Sequence, residues 1–378
     1  MRILFHRTTP WKDHIRCSTN IYTEKAIALG HEVFYLEKLV HPFRIIKGVF
    51  PTKKTYKSGA LFCRPFTWVP FMKKGFFSKS FFASLTYRFI SPYYKRVIRN
   101  FQPDIIWTVP PGSSSLKNTY PKARLVMQVV DYYPAFLGDK IKQVEKKDYE
   151  AADHIFTIGN SMTKYLVEDL KICRSKITTL GQGVDFERYQ KKHEKPAEIQ
   201  KLKGDIFIYV GLLSKLDQEY ISYLVSVLNE QNASLLCIGP EAPDWLLKFN
   251  TDERVIITNS KPSDEIPAYL QYANYGLMLY DQNKQDIYKG QHPLKLYEYA
   301  ACGLKIISTP HDEFLTLKPP CEIVNSKKDL QYLIENPSSF KYDKNQVVDF
   351  AKKKSWESIF LTALEKLINS NEKNNNIW

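Results

Sequence analysis

No run of about 18 apolar residues occurs in the 378-residue chain, so no membrane-spanning helix is expected. Ile3, Leu4 and Phe5 give way at once to polar residues, far short of the roughly 7–15 apolar residues of a signal-peptide core. The expectation is a cytoplasmic protein. None of the six cysteines (17, 63, 173, 237, 302 and 321) belongs to a C-x-x-C pair, and Cys237 sits in the apolar run Leu235–Ile238. They read as buried, reduced thiols. The eight histidines lack H-E-x-x-H or any comparable ligand spacing, so neither a metal nor a resident cofactor is expected. With neither G-x-G-x-x-G nor a Walker loop, dinucleotide oxidoreductases and P-loop NTPases are disfavoured.

The most informative absence is of acid. From His41 to Pro103 there is no Asp or Glu, against thirteen Lys or Arg and sixteen aromatics, among them Phe50, Phe66, Trp68, Phe71, Phe76, Phe77, Phe81, Phe82, Tyr93 and Tyr94. That segment holds nearly all of the net charge of +14. Cations interleaved with aromatics suit an anionic membrane surface, where each cation contributes about 1 kcal/mol and aromatic rings settle at the interface. Stacking on nucleic acid is a second reading. A helical subdomain with an aromatic core and solvated lysines is a third.

What is present is an α/β pattern met twice. At 44% hydrophobic and 25% charged, the chain is an ordinary globular one, and it is too long for a single core. Arg2–His6 reads as a strand, Thr23–Gly30 as a helix closed by glycine, and 31–36 as a second strand, a βαβ opening. Further strands are read at 103–107, 123–130 (ending at Asp131), 154–158 and 177–180. Pro110–Ser115 reads as a turn that starts a helix, and Asn160 or Ser161 as a helix cap. A charged stretch, 191–203, reads as a linker. A second series follows, with strands at 206–210, 234–239, 255–258, 275–279 and 305–308. Two parallel sheets joined in this way predict a ligand cleft between them, at the carboxyl ends of the strands.

Three groups in the second half could meet a nucleotide diphosphate. Gly211 follows a strand and lets a ligand approach the backbone, with Lys215 four residues on. Tyr280 ends another strand. The block His292-Pro293-Leu294-Lys295-Leu296-Tyr297-Glu298 opens a helix, with Pro293 suited to its first turn. That helix end offers free N–H groups and partial positive charge to a diphosphate, Lys295 adds a full charge, and Glu298 lies one turn on, where it could accept ribose hydroxyls. In the first half, His6 ends the first strand and reads as an acceptor-binding residue or a polar strand terminus. Asp131 reads as a general base or a turn cap.

The block 293–308, Pro-Leu-Lys-Leu-Tyr-Glu-Tyr-Ala-Ala-Cys-Gly-Leu-Lys-Ile-Ile-Ser, resembles the nucleotide-sugar signature of GT-B glycosyltransferases. Leu180–Asp185 resembles their interdomain segment, and 351–356 their C-terminal helix. The resemblance implies two Rossmann-like α/β domains. Residues 1–185 would bind the acceptor and include the basic aromatic segment 41–103. Residues 204–345 would bind the nucleotide sugar, and 346–378 would form a helix bracing the first domain. It further implies that Lys295 and Glu298 contact diphosphate and ribose. Retaining family-4 members carry Glu-x7-Glu; with Glu298 as the second glutamate, the first would fall at Gly290. The pattern is more similar to the inverting glucuronosyltransferase of bacterial xanthan assembly, which implies that Asp131, at the end of 125–131, is the general base. The partners implied are a UDP-sugar, a saccharide or lipid-linked acceptor and an anionic membrane face, with no metal and no nucleic acid. A retaining transferase and a non-catalytic nucleic-acid-binding α/β protein remain the alternatives.

Overall fold

The structure, a computed structural model, describes all residues except 9–10, 12–16, 71–81, 83–84, 86–88, 90–91, 110, 285–289 and 376–378. The aromatics Phe71, Phe76, Phe77 and Phe81 and the first residue of the Pro110 turn therefore lie outside the described residues, as does the side chain of Tyr94. The chain divides into two compact units. The first comprises Met1–Gly181, Lys289–Gln291 and Glu357–Trp378; the second comprises Gln182–Tyr288 and His292–Trp356.

The first unit is built on eight strands: β1 (Arg2–Thr8), β2 (Glu32–Glu37), β3 (Thr52–Lys57), β4 (Ala60–Arg64), β5 (Ile105–Thr108), β6 (Arg124–Val129), β7 (His154–Thr157) and β8 (Ile177–Thr179). They lie in the order β3-β4-β2-β1-β5-β6-β7-β8 and are parallel, except that β3 pairs antiparallel with β4. The central strands are buried and mostly apolar, as strands covered on both faces are, with His6, Thr108 and Gln128 as buried polar positions. Its principal helices are α1 (Ser18–Ala28), α2 (Pro92–Phe101), α3 (Ser115–Thr119), α4 (Ile141–Ala151) and α5 (Asn160–Lys164).

The second unit holds β9 (Asp205–Val210), β10 (Ala233–Ile238), β11 (Val255–Thr258), β12 (Tyr275–Met278), β13 (Lys305–Ser308) and β14 (Glu322–Ile323), in the order β11-β10-β9-β12-β13-β14 and parallel throughout. Its principal helices are α6 (Gln218–Val227), α7 (Leu294–Ala301) and α8 (Lys344–Lys352). In both sheets the chain winds outward in one direction, returns to the middle and winds the other way. The switch falls between β1 and β5 in the first sheet, and between β9 and β12 in the second. Such points open a crevice at the carboxyl ends of the strands, where open α/β sheets bind ligands.

A last helix, α9 (Trp356–Asn375), belongs from Glu357 onward to the first unit. Its Phe360 is fully buried beside Tyr22 (centroids 5.3 Å apart) and Trp107 (6.1 Å), and Phe156 stacks on Trp107 at 5.1 Å. The indole N–H of Trp107 donates to Gln128, whose amide donates to Ser18, so the indole's polar edge is satisfied. Truncating one such ring typically costs about 3–5 kcal/mol.

Several local expectations need correction. The acid-free segment is not a purely helical subdomain: Thr52–Lys57 and Ala60–Arg64 form a hairpin on the sheet edge, with β3 wholly exposed and rich in lysine. Charge of this kind discourages edge-to-edge pairing. α1 starts at Ser18 rather than Thr23, because the Asn20 side chain accepts the Cys17 N–H. Neither Asn160 nor Ser161 caps α5; the cap is Gly159. Within 191–203 a short helix, Ala197–Lys201, fully buries Ile199 and pairs Glu198 with Lys261 at 2.5 Å, so the stretch packs on the second unit. The C-terminal region is two helices rather than one, interrupted where Ser355 pairs with Val184.

Candidate functional site

In the second unit the residues singled out by sequence converge on the switch point. Gly211 follows β9, and its φ of +138° is one that side-chain-bearing residues rarely adopt. A Cβ there would lie 2.8 Å from Lys295 Nζ. Gly239, after β10, is closer still to its neighbour: a Cβ would fall 1.7 Å from the Gly211 carbonyl oxygen. Two glycines thus clear the floor on which the lysine rests. Lys295 Nζ sits over the Tyr209 ring, 3.7 Å from its centroid, and 5.2 Å from that of Tyr280. Lys215 Nζ lies 5.6 Å from the same Tyr280 ring. The Lys215 carbonyl accepts the Asp281 N–H at 2.9 Å, which ties the turn after β9 to the end of β12.

Burial, and secondarily the like charge of Lys215, pushes the Lys295 ammonium well below its ordinary value; Glu298 partly offsets this. Two amines held together on aromatic faces make a site whose electrostatics improve when an anion enters. α7 points its first turn at the same place. The first N–H groups of a helix have no intrahelical acceptor, and Pro293, the N-cap residue rather than a first-turn residue, has no N–H to satisfy. Leu294 follows it, partly exposed.

The other members of the block divide into two kinds. Glu298 accepts a hydrogen bond from Tyr189; a carboxylate has acceptor capacity beyond that single bond. His292 is buried, with its Nε2 2.5 Å from the Tyr297 hydroxyl, which orients the entry to α7. Tyr280 is 2% exposed, and its ring serves as a platform for both lysines.

Two residues of this site escaped the sequence reading. Tyr209 looked like one more apolar strand position, yet it carries the Lys295 ammonium. His311, just beyond β13, is 7% exposed, and its Nε2 has no hydrogen-bond partner among the described residues. Its ring meets Tyr280 edge-on at 5.0 Å. Burial, then the charges of Lys215, Lys295 and His292, lowers its pKa to about 3, so it stays neutral. A histidine three residues past the end of a strand was the available signal.

In the first unit, His6 and Thr108 lie side by side across the switch point, with His6 Nδ1 3.0 Å from Thr108 Oγ1. Thr108 continues to Ser113 Oγ at 3.1 Å. The loop after β5 is held from below by Asp148 of α4, which accepts the N–H groups of Gly112 and of Ser114, the latter at 2.7 Å. Asp131 lies two residues beyond β6, partly exposed. Its neighbour Tyr132 packs edge-on against Tyr165 at 4.9 Å, and Tyr165 donates to Glu145 at 2.8 Å. Burial raises the Glu145 carboxyl to about 7, against the bonds from Tyr165 and Tyr149. The structure thus gathers Gly211, Lys215, Tyr280 and the α7 block in the second unit, and places His6 and Asp131 in the first.

No protein-family model matches the chain. It is 24% identical over 221 residues to TuaH of Bacillus subtilis, a protein assigned as a teichuronic acid biosynthesis glycosyltransferase, covering 54% of this chain and 55% of that one. It is 28% identical over 213 residues to the chitobiosyldiphosphodolichol beta-mannosyltransferase of Candida albicans, covering 50% and 45%. The chain therefore spans about half the length of the curated relatives it matches. Among solved structures, Alr3699/HepE of Anabaena, in complex with UDP and glucose, superposes with a TM-score of 0.69 over 97% of this chain and 98% of that one, at 12% identity. Likeness at that identity is one of fold, and the fold is the GT-B type, with two Rossmann-like α/β units.

Proposed function

We propose that the chain is a glycosyltransferase that moves a sugar from a UDP-sugar to a saccharide or lipid-linked acceptor. The observation that carries this is the pair of lysines, 215 and 295, seated on Tyr209 and Tyr280 beside the first turn of α7. In transfer the bond from the anomeric carbon to the β-phosphate oxygen breaks and negative charge builds on the departing phosphate, and preorganised cations at that point stabilise the transition state more than the ground state. Lys295 and Lys215 supply that charge without a metal. Neutral His311, whose Nε2 has no hydrogen-bond partner among the described residues and whose ring lies against Tyr280, is available to the same donor, and Glu298 has acceptor capacity for a hydroxyl.

Transfer proceeds with inversion, Asp131 taking the proton from the acceptor hydroxyl as it attacks the anomeric carbon, and His6 holding the acceptor. A partly exposed carboxylate after a central strand suits this role. The position where a retaining family-4 pattern would need its first glutamate supports inversion. Gly290 has a φ of +71°, and a Cβ there would meet the Met162 methyl at 2.1 Å. A side chain at such a φ costs about 1–2 kcal/mol before any clash. The lipid-linked saccharide in the name of the Candida relative supports an acceptor of that class, and a glucuronosyl donor is the version the sequence pattern favours. Exposed Ile46, Phe50, Tyr56 and Trp68 beside the lysines of β3 support docking on the cytoplasmic face of an anionic membrane. No described helix is long and apolar enough to cross one.

The test is calorimetric titration with UDP, GDP, ADP and CMP, followed by transfer assays with the matching sugar donors. Selective binding of UDP, weakened about ten- to a hundredfold by Lys295→Ala, is the expected result. Equal affinity in wild type and variant would remove the donor site from α7, and failure of every nucleotide to bind would remove the transferase reading.

A further inference from the structure

The first unit has a second concavity, at the opposite ends of its strands from His6 and Asp131. A cavity of about 710 Å³ opens where β1, β5 and β6 begin, bounded by the end of α2, the loop after α3 and Leu367 of α9. That is the size of a site for a small organic ligand. Its wall carries four cations (Arg2, Arg99, Lys122 and Arg124) against one carboxylate, Asp104.

Two of the four are already committed. Asp104 accepts from the Arg2 guanidinium at 3.1 Å and from the Arg2 backbone N–H at 2.7 Å. Arg124 donates to the Leu367 carbonyl. Arg99 and Lys122 are exposed, and neither has an ion pair or a side-chain hydrogen bond among the described residues. Arg99 is near enough to Tyr120 for its charge to oppose the burial that raises that phenol to about 12. The lining around the two free cations is largely apolar, with Ile105, Tyr120 and Leu367. Gln102, which ends α2 with a left-handed φ of +48° as helix ends commonly do, holds its amide oxygen 3.5 Å from Arg2.

A largely apolar pocket with two uncompensated cations in its lining fits an anion with an organic body, and guanidinium and ammonium groups both make charge-assisted bonds to a phosphomonoester. We infer that this cavity is a binding site for an organic phosphate, held by Arg99 and Lys122 through the phosphate and by Tyr120 through the body. It stands apart from the nucleotide-sugar reading, because its lining contains none of the residues assigned to donor or acceptor.

The experiment uses full-length protein carrying Lys295→Ala, so that phosphate binding at α7 is weakened. Calorimetry with glucose 6-phosphate tests a soluble ligand. Flotation with phosphatidylcholine vesicles carrying phosphatidic acid, against vesicles carrying phosphatidylserine at equal charge, tests a lipid phosphomonoester apart from the general pull of the β3 lysines on anionic surfaces. Phosphate-dependent binding in this arm is the excess of the first over the second. In either arm, adding Arg99→Glu and Lys122→Glu should weaken phosphate-dependent binding at least about tenfold. The two side chains are exposed, so the melting curve should be unchanged. Loss confined to the first arm assigns a free metabolite, and loss confined to the second assigns a lipid phosphate. Absence of binding in both arms, or binding that survives the double substitution, would overturn the site.

Discussion

The two sheets treat charge at their carboxyl ends in opposite ways. The second unit places lysines there, on aromatic rings, and burial drives Lys295 toward losing its proton. The first unit places carboxylates there or just beneath, and burial drives Glu145 toward keeping one. The cause is the same in both: a low-dielectric setting penalises whichever form is charged. The difference lies in what each end can accept. The lysine pair gains from an incoming anion, whereas the carboxylates are already engaged, Asp148 by backbone N–H groups and Glu145 by tyrosine hydroxyls. One end carries cations with unmet electrostatic demand, and the other carries carboxylates already held by hydrogen bonds.

Substitutions that separate the two ends test this contrast. The largest effect is expected from Asp131→Asn, which should lower turnover by about 10²–10⁴-fold while leaving UDP affinity near wild type; a variant that transferred sugar at the normal rate would strip Asp131 of its role as base. Asp148→Asn should follow, since one of two N–H groups loses its acceptor and faces a donor instead. A loss of about 1–3 kcal/mol in denaturant unfolding is expected, with UDP binding intact.

Smaller effects concern protons. Glu145 has a folded pKa raised above its ordinary 4.5 to about 7, so between those values the folded state binds the extra proton. Its contribution to stability is complete below 4.5 and disappears as the pH rises through 7. Glu145→Gln should flatten the pH dependence of the melting temperature in that window. The sign is reversed for Lys295, whose folded value lies below its ordinary 10.5: between the two, the unfolded state binds more protons and stability rises with pH. A diphosphate restores the proton, so UDP binding at a pH inside that window should take up a fraction of one, read from calorimetry in buffers of different ionisation enthalpy. Heats that do not vary with buffer would show that the ammonium is already fully charged without ligand.

Much of this contrast was legible in the chain. Strands with continuous apolar runs, such as 206–210 and 235–238, announced parallel sheets, and the Pro293–Glu298 block announced its helix because capping, charge and spacing are local properties. The rest depends on contacts distant in sequence. Tyr209 and Lys295 meet only because β9 and α7 flank the same switch point, and nothing local marks the tyrosine as a cation platform. Asp148 lies mid-helix, 34 residues from the Ser114 N–H it accepts. The hairpin at 52–64 was hidden because its lysine-rich first strand has no buried face and hence no apolar alternation to read.

Phe360 completes the aromatic knot around Trp107 and Tyr22, yet it is synthesised long after them. At about 5–20 residues per second, Trp107 leaves the peptidyl-transferase centre on the order of ten to fifty seconds before Phe360 is made. Throughout that interval the emerging chain carries an unfilled apolar face in its first unit while the second is still being translated. The knot therefore closes only after the strands of both sheets have been made, and a ribosome stalled before residue 360 would present chaperones and proteases with an open core rather than a finished half.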